Sequence, residues 1–270
     1  MGGPAASRDV QDGRRRIGLL GYGFIGKYVH ERLTKEPELG YDVAFVWNRT
    51  KPDVPEALTD LAQMRDTGAD LVVEMAHPAL SREWGAEILS FADYMPLSVT
   101  ALADELLEQT LRQACAASGR RLYIPHGALV GTDSLVEARA NWAAVTITFR
   151  KHPRNIDFAN VSIDPASING PTTIYDGPAR GIAALFPRNV NTMVTCGLAT
   201  VGLDVCRAVL IADPSLTTAI AEVEAIGRDG AELRSYKSEP AIGVSGTGML
   251  VNQLGSILRV GRHAPGLHFV

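Results

Sequence analysis

The chain has 270 residues, of which 46% are hydrophobic and 21% charged, values that are typical of an ordinary globular protein with one or two domains. Its net charge of −4 excludes a bulk electrostatic attraction to nucleic acid or to an anionic membrane surface. The cysteines Cys115, Cys196 and Cys206 lack CxxC spacing, so we expect small core residues in a reducing compartment. We therefore predict a cytoplasmic protein with neither a nucleic-acid nor a membrane partner.

A glycine motif follows the first predicted strand. The apolar run Arg16–Leu20 predicts a buried strand of a parallel sheet, and the next six residues read GYGFIG, a G-x-G-x-x-G pattern ahead of a possible helix. Such glycines permit a tight turn, a close approach of the backbone to a pyrophosphate, and close packing of helix on strand. The alternative is a purely structural turn. The predicted cofactor contacts are Gly21, Gly23, Phe24, Ile25 and Gly26.

The polar turn after the second predicted strand, Tyr41–Trp47, bears on the choice of cofactor. Asn48 and Arg49 stand about 20 residues past the glycine motif, where an NAD-selective site usually has a carboxylate for the ribose hydroxyls. An amide followed by a guanidinium can instead accommodate the 2′-phosphate of NADP. We predict that NADP is bound at least as well as NAD; the alternative is that these residues form only a polar turn.

Strands and helices alternate over residues 14–125, which predicts a doubly wound parallel sheet with right-handed crossovers. Pro96 argues that the fourth strand is an edge or an irregular segment. The further predicted strands are Asp70–Met75, Asp93–Val99 and Arg120–Ile124, and the predicted helices are Leu80–Ser90 and Thr100–Ser118.

The pattern changes near residue 142, where Ala144–Arg150 alternates apolar and polar residues as a strand with one solvated face does. Further extended segments are expected at Asp157–Ile163, Ala208–Ile211 and Glu232–Lys237, with a helix over Asn189–Leu203. Met249–Val260 is expected to be a terminal helix that returns to the first domain.

These elements predict an α/β protein with two domains and a ligand cleft between them. Residues 14–141 plus 248–262 are expected to form a Rossmann domain, and residues 142–247 an α+β domain with a mixed or antiparallel sheet. Residues 1–13 lack an apolar core and are expected to be disordered.

Ligands of an open parallel sheet bind beyond the carboxyl ends of its strands. His77 and His126 stand at two predicted strand ends and could reach a nicotinamide or a substrate, although a histidine there can equally bond the backbone. Gly127 and Gly131 bracket a segment that needs close backbone approach or unusual dihedral angles. The sequence contains no cluster with metal-ligand spacing, so we predict no metal site. It also lacks a G-x-S-x-G motif, which argues against a serine hydrolase.

Three segments resemble the L-aspartate dehydrogenase family. Leu122–Gly131 (LYIPHGALVG), Leu185–Asn191 (LFPRNVN) and Leu210–Pro214 (LIADP) are similar to that family's "vyxPSGAixG", "LFPkNvN" and "liaDP". The resemblance implies NAD(P)-dependent oxidation of L-aspartate through iminoaspartate to oxaloacetate and ammonia, a place in pyridine nucleotide biosynthesis, and a homodimer. It also implies that Ala128 and Asn191 contact the nicotinamide half of the cofactor.

The chain departs from the family pattern at the catalytic position. The family has "DPxvxRNxHEI" after the DP turn and assigns catalysis to its histidine; the corresponding residue here is Ala221. A methyl group cannot transfer a proton, and loss of a general base typically slows an enzyme ~10²–10⁴-fold. The serine that the family has before Gly127 is His126 here, so we hypothesise that His126, or else His77, supplies an imidazole.

Two questions follow from this departure. The amino or imino dicarboxylate that the resemblance implies needs cationic partners, for which the candidates are Arg150, Lys151 and Arg188; each could also be a structural charge. The alternative to an active dehydrogenase is a catalytically weakened relative that binds NADP(H) as a sensor or scaffold.

Overall fold

The structure is a computed structural model that describes residues 14–243, 245–246, 248–260 and 266–270. The predicted disordered segment 1–13 lies outside the described residues, as do residues 261 and 262 at the end of the predicted first domain. In chain order the described strands are β1 (Arg15–Leu20), β2 (Tyr41–Trp47), β3 (Leu71–Glu74), β4 (Asp93–Pro96), β5 (Arg121–Ile124), β6 (Trp142–Lys151), β7 (Thr172–Pro178), β8 (Arg207–Ala212), β9 (Thr218–Gly227), β10 (Glu232–Ile242), β11 (Ser245–Gly246) and β12 (Gly266–Phe269). The described α-helices are α1 (Phe24–Lys35), α2 (Pro78–Leu89), α3 (Glu105–Ser118), α4 (Thr132–Glu137), α5 (Ala179–Leu185), α6 (Asn191–Ala199) and α7 (Met249–Leu258).

The first sheet is parallel, with the strand order β12-β5-β4-β3-β1-β2. Its inner strands are buried on both faces: β3 and β4 are buried throughout, and in β1 Ile17, Leu19 and Leu20 are fully buried. This confirms the doubly wound parallel sheet. Of the two alternatives predicted for β4, the edge position was wrong, because β4 lies between β3 and β5. The strand is shorter than the predicted Asp93–Val99 and pairs with β5 at Tyr94 and Leu122, which fits the irregular alternative. Pro96 is its last residue, where a missing N–H removes no bond from the interior of the ladder.

The predicted helix over Thr100–Ser118 divides into two pieces. A 3₁₀ turn covers Val99–Ala103, and α3 begins only after Asp104, whose carboxylate accepts the Leu107 amide at 3.2 Å as an N-cap. The buried side of α3 carries Leu107, Leu111 and Cys115. Leu106, next to Leu107, is 74% exposed.

The second sheet is mixed, with the order β11-β10-β9-β6-β8-β7. Only the β6–β8 pair is parallel. The helices α5 and α6 cover one face, on which β6 places Val145, Ile147 and Phe149. The expected strand at Asp157–Ile163 was wrong: this segment is a loop, and its first amide donates to the side chain of Asn189 at 2.9 Å.

The end of the chain returns to the first sheet. The helix α7 packs on α1, as predicted, and the Tyr41 hydroxyl donates to the Ile257 carbonyl at 2.9 Å. The strand β12, which the sequence did not predict, extends the sheet beside β5. His126 N–H donates to the Val270 carbonyl at 2.8 Å, so the loop after β5 is held by the last described residue.

Candidate active site

A cleft of about 270 Å³ lies between the carboxyl ends of the first sheet and the helix-covered face of the second. Ile25 in the first turn of α1 and the loops after β3, β4 and β5 line one side, and β6, β9 and β10 line the other. This is the edge at which open α/β sheets bind their ligands. The lining residues on which the site depends are Ile25, Ala76, His77, Ser98, Ala128, Lys151, Asn191, Ala221 and Lys237.

The glycine motif forms the turn that a dinucleotide requires. Gly21 has a φ of 116°, a conformation that L side chains rarely adopt, and a Cβ at Gly26 would lie 2.1 Å from the Gly21 carbonyl oxygen. A Cβ at Gly23 would meet nothing within 4 Å, so the space above the turn is open. Gly23 is also the N-cap of α1 and brings no capping side chain. The helix N-terminus therefore presents backbone amides to an anion.

Asn48 and Arg49 occupy different environments. The Asn48 side chain accepts the Tyr22 amide at 3.2 Å and donates to the Thr50 carbonyl at 3.0 Å, which fixes the glycine turn against the end of β2. Asn48 is therefore part of the scaffold of the turn. Arg49 is exposed beside it and offers a cation at this corner for a phosphate.

Glu74, which sequence reasoning missed, ties two loops of the cleft together. Its side chain is fully buried at the end of β3. One carboxylate oxygen, Oε1, accepts the amides of Ala76 and His77 at 2.6 and 2.7 Å and the Ser98 hydroxyl at 3.0 Å; the other, Oε2, accepts the Ser98 amide at 3.1 Å. Burial raises the pKa of Glu74 to about 7, against the opposing effect of these donors. A lone glutamate inside the apolar run DLVVEM was the available signal.

The segment Pro187–Thr192 joins the two sheets at the centre of the cleft. The Asn191 side chain accepts the Thr100 amide at 3.0 Å, and the Thr100 hydroxyl donates to the Pro187 carbonyl at 3.1 Å. The Thr192 hydroxyl accepts the Ala128 amide at 3.2 Å. Gly127, with φ of 60°, approaches so closely that a Cβ would lie 2.8 Å from that hydroxyl. Ala128 and Asn191, the predicted nicotinamide contacts, thus line the same wall.

Ala221 stands in a trough on the cleft face of the second sheet. Its register partners are Phe149 on β6 and Lys237 on β10, and Ala219, two residues earlier, is opposite Glu239. The two alanines leave a floor without side-chain bulk between strands that lie about 10 Å apart. Lys237 Nζ lies 2.5 Å from Glu239 Oε1, so this ion pair forms one bank of the trough. Lys237 and Glu239 share a face because they are two residues apart on β10, but their position beside Ala221 depends on the register of β9 and β10, which sequence reasoning missed.

Lys151 lies on the other side of the trough from the Lys237–Glu239 pair. It is the last residue of β6, is 5% exposed, and lines the cleft. Its ammonium donates to the Asn189 carbonyl at 3.3 Å and lies 5.0 Å from the centre of the Phe149 ring. Burial lowers the pKa of Lys151 to about 8. A lysine with this pKa changes its protonation state near neutral pH, whereas a lysine with the ordinary pKa stays charged there.

The two histidines selected from sequence lie differently with respect to the cleft. His77 lines it, and its ring Nδ1 accepts the Ala79 amide at 3.1 Å as the N-cap of α2. Pro125, Gly127 and Ala128 line the cleft, but His126 is not among the described lining residues. Burial and the charge of Arg259 lower the pKa of His126. The hypothesis that His126 supplies the imidazole stays untested, and this placement does not favour it.

Arg150 and Arg188, both candidates for holding a dicarboxylate, are also separated by the structure. Arg150 faces the opposite side of the second sheet, where it pairs with Glu222 at 2.9 Å. It follows from the two-residue period of a strand that Arg150 and Lys151 cannot share a face. Arg188 lines the cleft; its side chain is 70% exposed and lies 3.4 Å from Asp157.

Within the part of the chain that the structure describes, no group of three or more His, Cys, Asp or Glu residues is placed to hold a metal ion. Across those same residues, no helix has the length and apolar character needed to cross a membrane.

Comparison with known proteins agrees with the two-part architecture. A family model described as "Homoserine dehydrogenase, NAD binding domain" matches residues 21–125, and one described as "Aspartate dehydrogenase, C-terminal" matches residues 133–251. The chain is 38% identical over 219 residues to an aspartate dehydrogenase domain-containing protein of Xenopus tropicalis, with 76% of this chain and 77% of the relative covered. The chain belongs to the aspartate dehydrogenase family.

Other members of the aspartate dehydrogenase family extend the match. The chain is 35% identical to the L-aspartate dehydrogenase of Methanococcoides burtonii over 246 residues, which cover 84% of this chain and 89% of the relative. The crystal structure of aspartate dehydrogenase from Thermotoga maritima superposes with a TM-score of 0.72 at 25% identity, covering 91% and 94% of the two chains. The protein is thus an aspartate dehydrogenase-like oxidoreductase with a Rossmann-type domain for a pyridine nucleotide.

Proposed function

We propose that the protein oxidises L-aspartate with NAD(P)+ to iminoaspartate, which water converts to oxaloacetate and ammonia. The observation that carries the proposal is one cleft that reaches the glycine motif at Ile25 and that Lys151 and Lys237 line from two different strands. A dicarboxylate needs cations, and hydride transfer needs substrate and nicotinamide held in contact. The family of the chain supports the same reaction.

The residues present fit a nicotinamide dinucleotide. The open space above Gly23 and the uncapped start of α1 would hold the pyrophosphate, while Gly21 and Gly26 keep the turn tight. Ala128 and Asn191 would contact the nicotinamide half, on the wall that faces the trough. When bound, the oxidised nicotinamide supplies the acceptor for the hydride that leaves Cα of the substrate.

The trough would hold the dicarboxylate. Lys237 and Arg188 line the cleft from different elements and would bind carboxylate oxygens, with Glu239 holding Lys237 in place. The apolar floor at Ala219 and Ala221 and the ring of Phe149 exclude water beneath the substrate. Glu74 positions the His77 and Ser98 loops on the nicotinamide side.

NADP is the favoured cofactor in this proposal. Arg49 is exposed at the end of β2, beside the turn that Asn48 fixes, and offers a charge-assisted contact to a 2′-phosphate. The strand β2 ends there without a carboxylate that would repel that phosphate.

A homodimer is part of the proposal, through the face of the second sheet that α5 and α6 leave uncovered. Arg150, Glu222 and Tyr236 share this face by strand register, and Tyr236 is 61% exposed. Ile226 on the same face is 50% exposed. A twofold pairing would bury this mixed polar and apolar surface. A place in pyridine nucleotide biosynthesis and a cytoplasmic location stay predictions.

A panel of amino acids with NADP+ and with NAD+ tests the proposed function, with absorbance of the reduced nicotinamide as the readout. We expect turnover with L-aspartate and little with the monocarboxylate amino acids. Turnover with another amino acid but not with aspartate would contradict the proposed substrate. Cofactor binding without turnover on any amino acid would favour the alternative, a sensor or scaffold, for which Ala221 at the family's histidine position is the supporting observation.

A further inference from the structure

We propose that Lys151 is the catalytic residue that accepts the proton of the substrate's α-ammonium group, an inference that rests on the proposed function. The family's proton-transfer position is a methyl group here, at Ala221, so another group of the cleft has to exchange the proton. The geometry points to the end of β6.

Position is the first argument. Phe149 on β6 is the register partner of Ala221 on β9. Lys151 follows Phe149 by two residues on β6, so its side chain lies on the same face of the sheet as Phe149 and Ala221. Lys151 and Ala221 both line the cleft. The carbonyl of Asn189 accepts from the Lys151 ammonium at 3.3 Å, and Asn189 itself is fixed by its side-chain bonds to Asn155 and Asp157. The amine is thus fixed to Asn189, which also lines the cleft.

Burial is the second argument. Lys151 is 5% exposed, whereas the other lysine of the cleft, Lys237, forms an ion pair with Glu239. Desolvation disfavours the charged form of a lysine, and it is the cause that lowers the pKa of Lys151. Lowered to about 8, the pKa of Lys151 leaves a useful neutral fraction near neutral pH. Lys237 is thereby suited to bind a carboxylate, and Lys151 to take up a proton.

Other titratable groups line the same cleft as Lys151. From other elements of the fold, these are His77, Arg188, Lys237 and Glu239. The Asp213 amide donates to the Lys151 carbonyl, but the Asp213 carboxylate bonds to Ser215. On its own strand, Arg150 points to the opposite face. A bound dicarboxylate adds negative charge to the trough, so it raises the pKa of Lys151 and strengthens it as a proton acceptor.

The step balances. The neutral Lys151 amine takes one proton from the α-ammonium group and becomes an ammonium. The freed nitrogen lone pair forms the C=N bond as the Cα–H bonding pair leaves as hydride to the oxidised nicotinamide dinucleotide, so the substrate loses two electrons and the dinucleotide gains them. Lys151 then releases its proton to solvent before the next turnover.

The titration of Lys151 itself is the first test, and it needs neither cofactor nor turnover. The chain has five lysines, Lys27, Lys35, Lys51, Lys151 and Lys237, so carbon-13 labelling of their ε-carbons gives few NMR signals. Lys151→Met identifies its own signal by deletion. We expect this signal to titrate at least one pH unit below the ordinary lysine value of about 10.4. Titration of Lys151 at that ordinary value would overturn the inference.

Kinetics supply the second test. Lys151→Met is expected to lower kcat for aspartate about 100-fold or more, while NADPH binding, followed by its fluorescence, changes less than about threefold. In the wild type, kcat/KM is expected to fall on the acid side with the pKa that NMR gives for Lys151, and Lys151→Arg, which cannot become neutral, is expected to be as slow as the methionine variant. The matched control is Lys35→Met, which removes an exposed lysine of α1.

The outcomes separate the inference from the proposed function. If Lys151→Met retains kcat within about threefold, or if the acid limb disappears in His126→Ala instead, the inference is overturned and the proposed function stands. If the wild type itself shows no turnover with aspartate, the proposed function is overturned, and the inference that rests on it falls as well.

Discussion

Lys237 of β10 is the register partner of Ala221 of β9, and both line the cleft. A histidine at residue 221 would therefore place its ring beside an ammonium and across from the Phe149 ring. We predict that Ala221→His raises kcat for aspartate at least about tenfold, because it restores an imidazole where the family has one. The measurement is kcat as a function of pH. A variant that folds and binds NADPH but turns over no faster would show that this position is not where the proton moves in this protein.

Gly23 and Gly26 separate cofactor binding from folding. A Cβ at Gly23 enters open space, so Gly23→Ala is expected to leave the Tm within about 2 °C and to weaken NADP(H) binding more than tenfold, since the methyl occupies the pyrophosphate's place. A Cβ at Gly26 meets the Gly21 carbonyl at 2.1 Å, and Gly26→Ala is expected to destabilise the fold by about 1–3 kcal/mol. Thermal unfolding and calorimetric titration check both. Equal binding by Gly23→Ala and wild type would contradict the assignment of the dinucleotide to this turn.

Arg49 sets the predicted preference for NADP. Arg49→Ala is expected to raise the Kd for NADP+ about tenfold, the loss of one charge-assisted contact, and to change the Kd for NAD+ less than about twofold. Lys51→Ala, two residues further along the same turn, is the matched control. A strong preference for NAD+ that Arg49→Ala leaves unchanged would contradict the prediction.

Glu74 predicts how stability depends on pH. Its folded pKa of about 7 lies above the ordinary value of 4.5, so between these pH values the folded state binds more protons than the unfolded state. The free energy of unfolding therefore falls as pH rises through this window, by up to about 3 kcal/mol from this group. Glu74→Gln lacks the titration, and its stability relative to wild type is expected to increase from pH 4.5 to pH 8.

Urea denaturation at several pH values measures this difference. Glu38→Gln, which alters an exposed glutamate, is the control for a general effect of charge. A difference between Glu74→Gln and wild type that stays constant with pH would show that Glu74 keeps an ordinary pKa in its cage of donors.

The first half of the fold could be predicted because its signals are local. Arg15–Leu20 and Tyr41–Trp47 are largely apolar segments near a glycine turn. This pattern indicates a strand from the segment's own residues and does not depend on the tertiary contacts that the segment makes. The strand β12 has no such signal in GLHF and exists because the edge of β5 is open to it. The loop at Asp157–Ile163 looks extended in sequence, but the side chain of Asn189 takes the amide that a strand would need.

The parts of the site that depend on the backbone conformation of glycine residues could be predicted from the sequence. The parts that depend on how the strands pair could not. Gly21 and Gly127 were selected from sequence, and both have positive φ. Lys151 was selected only as a possible cation; its burial and its separation from Arg150 depend on which face β6 turns inward. The Lys237–Glu239 pair beside Ala221 requires the pairing of β9 with β10, which no local pattern contains.

Transfer of the Cα hydrogen of aspartate is the most direct test of the central claim. Purified protein is incubated with L-aspartate deuterated at Cα and with NADP+, and the reduced cofactor and the ketoacid are analysed by mass spectrometry. The account predicts one deuterium on the reduced nicotinamide for each oxaloacetate and each ammonia formed, with a smaller yield from NAD+. Failure to form a deuterated reduced nicotinamide from either cofactor, in a sample that binds NADPH, would contradict it.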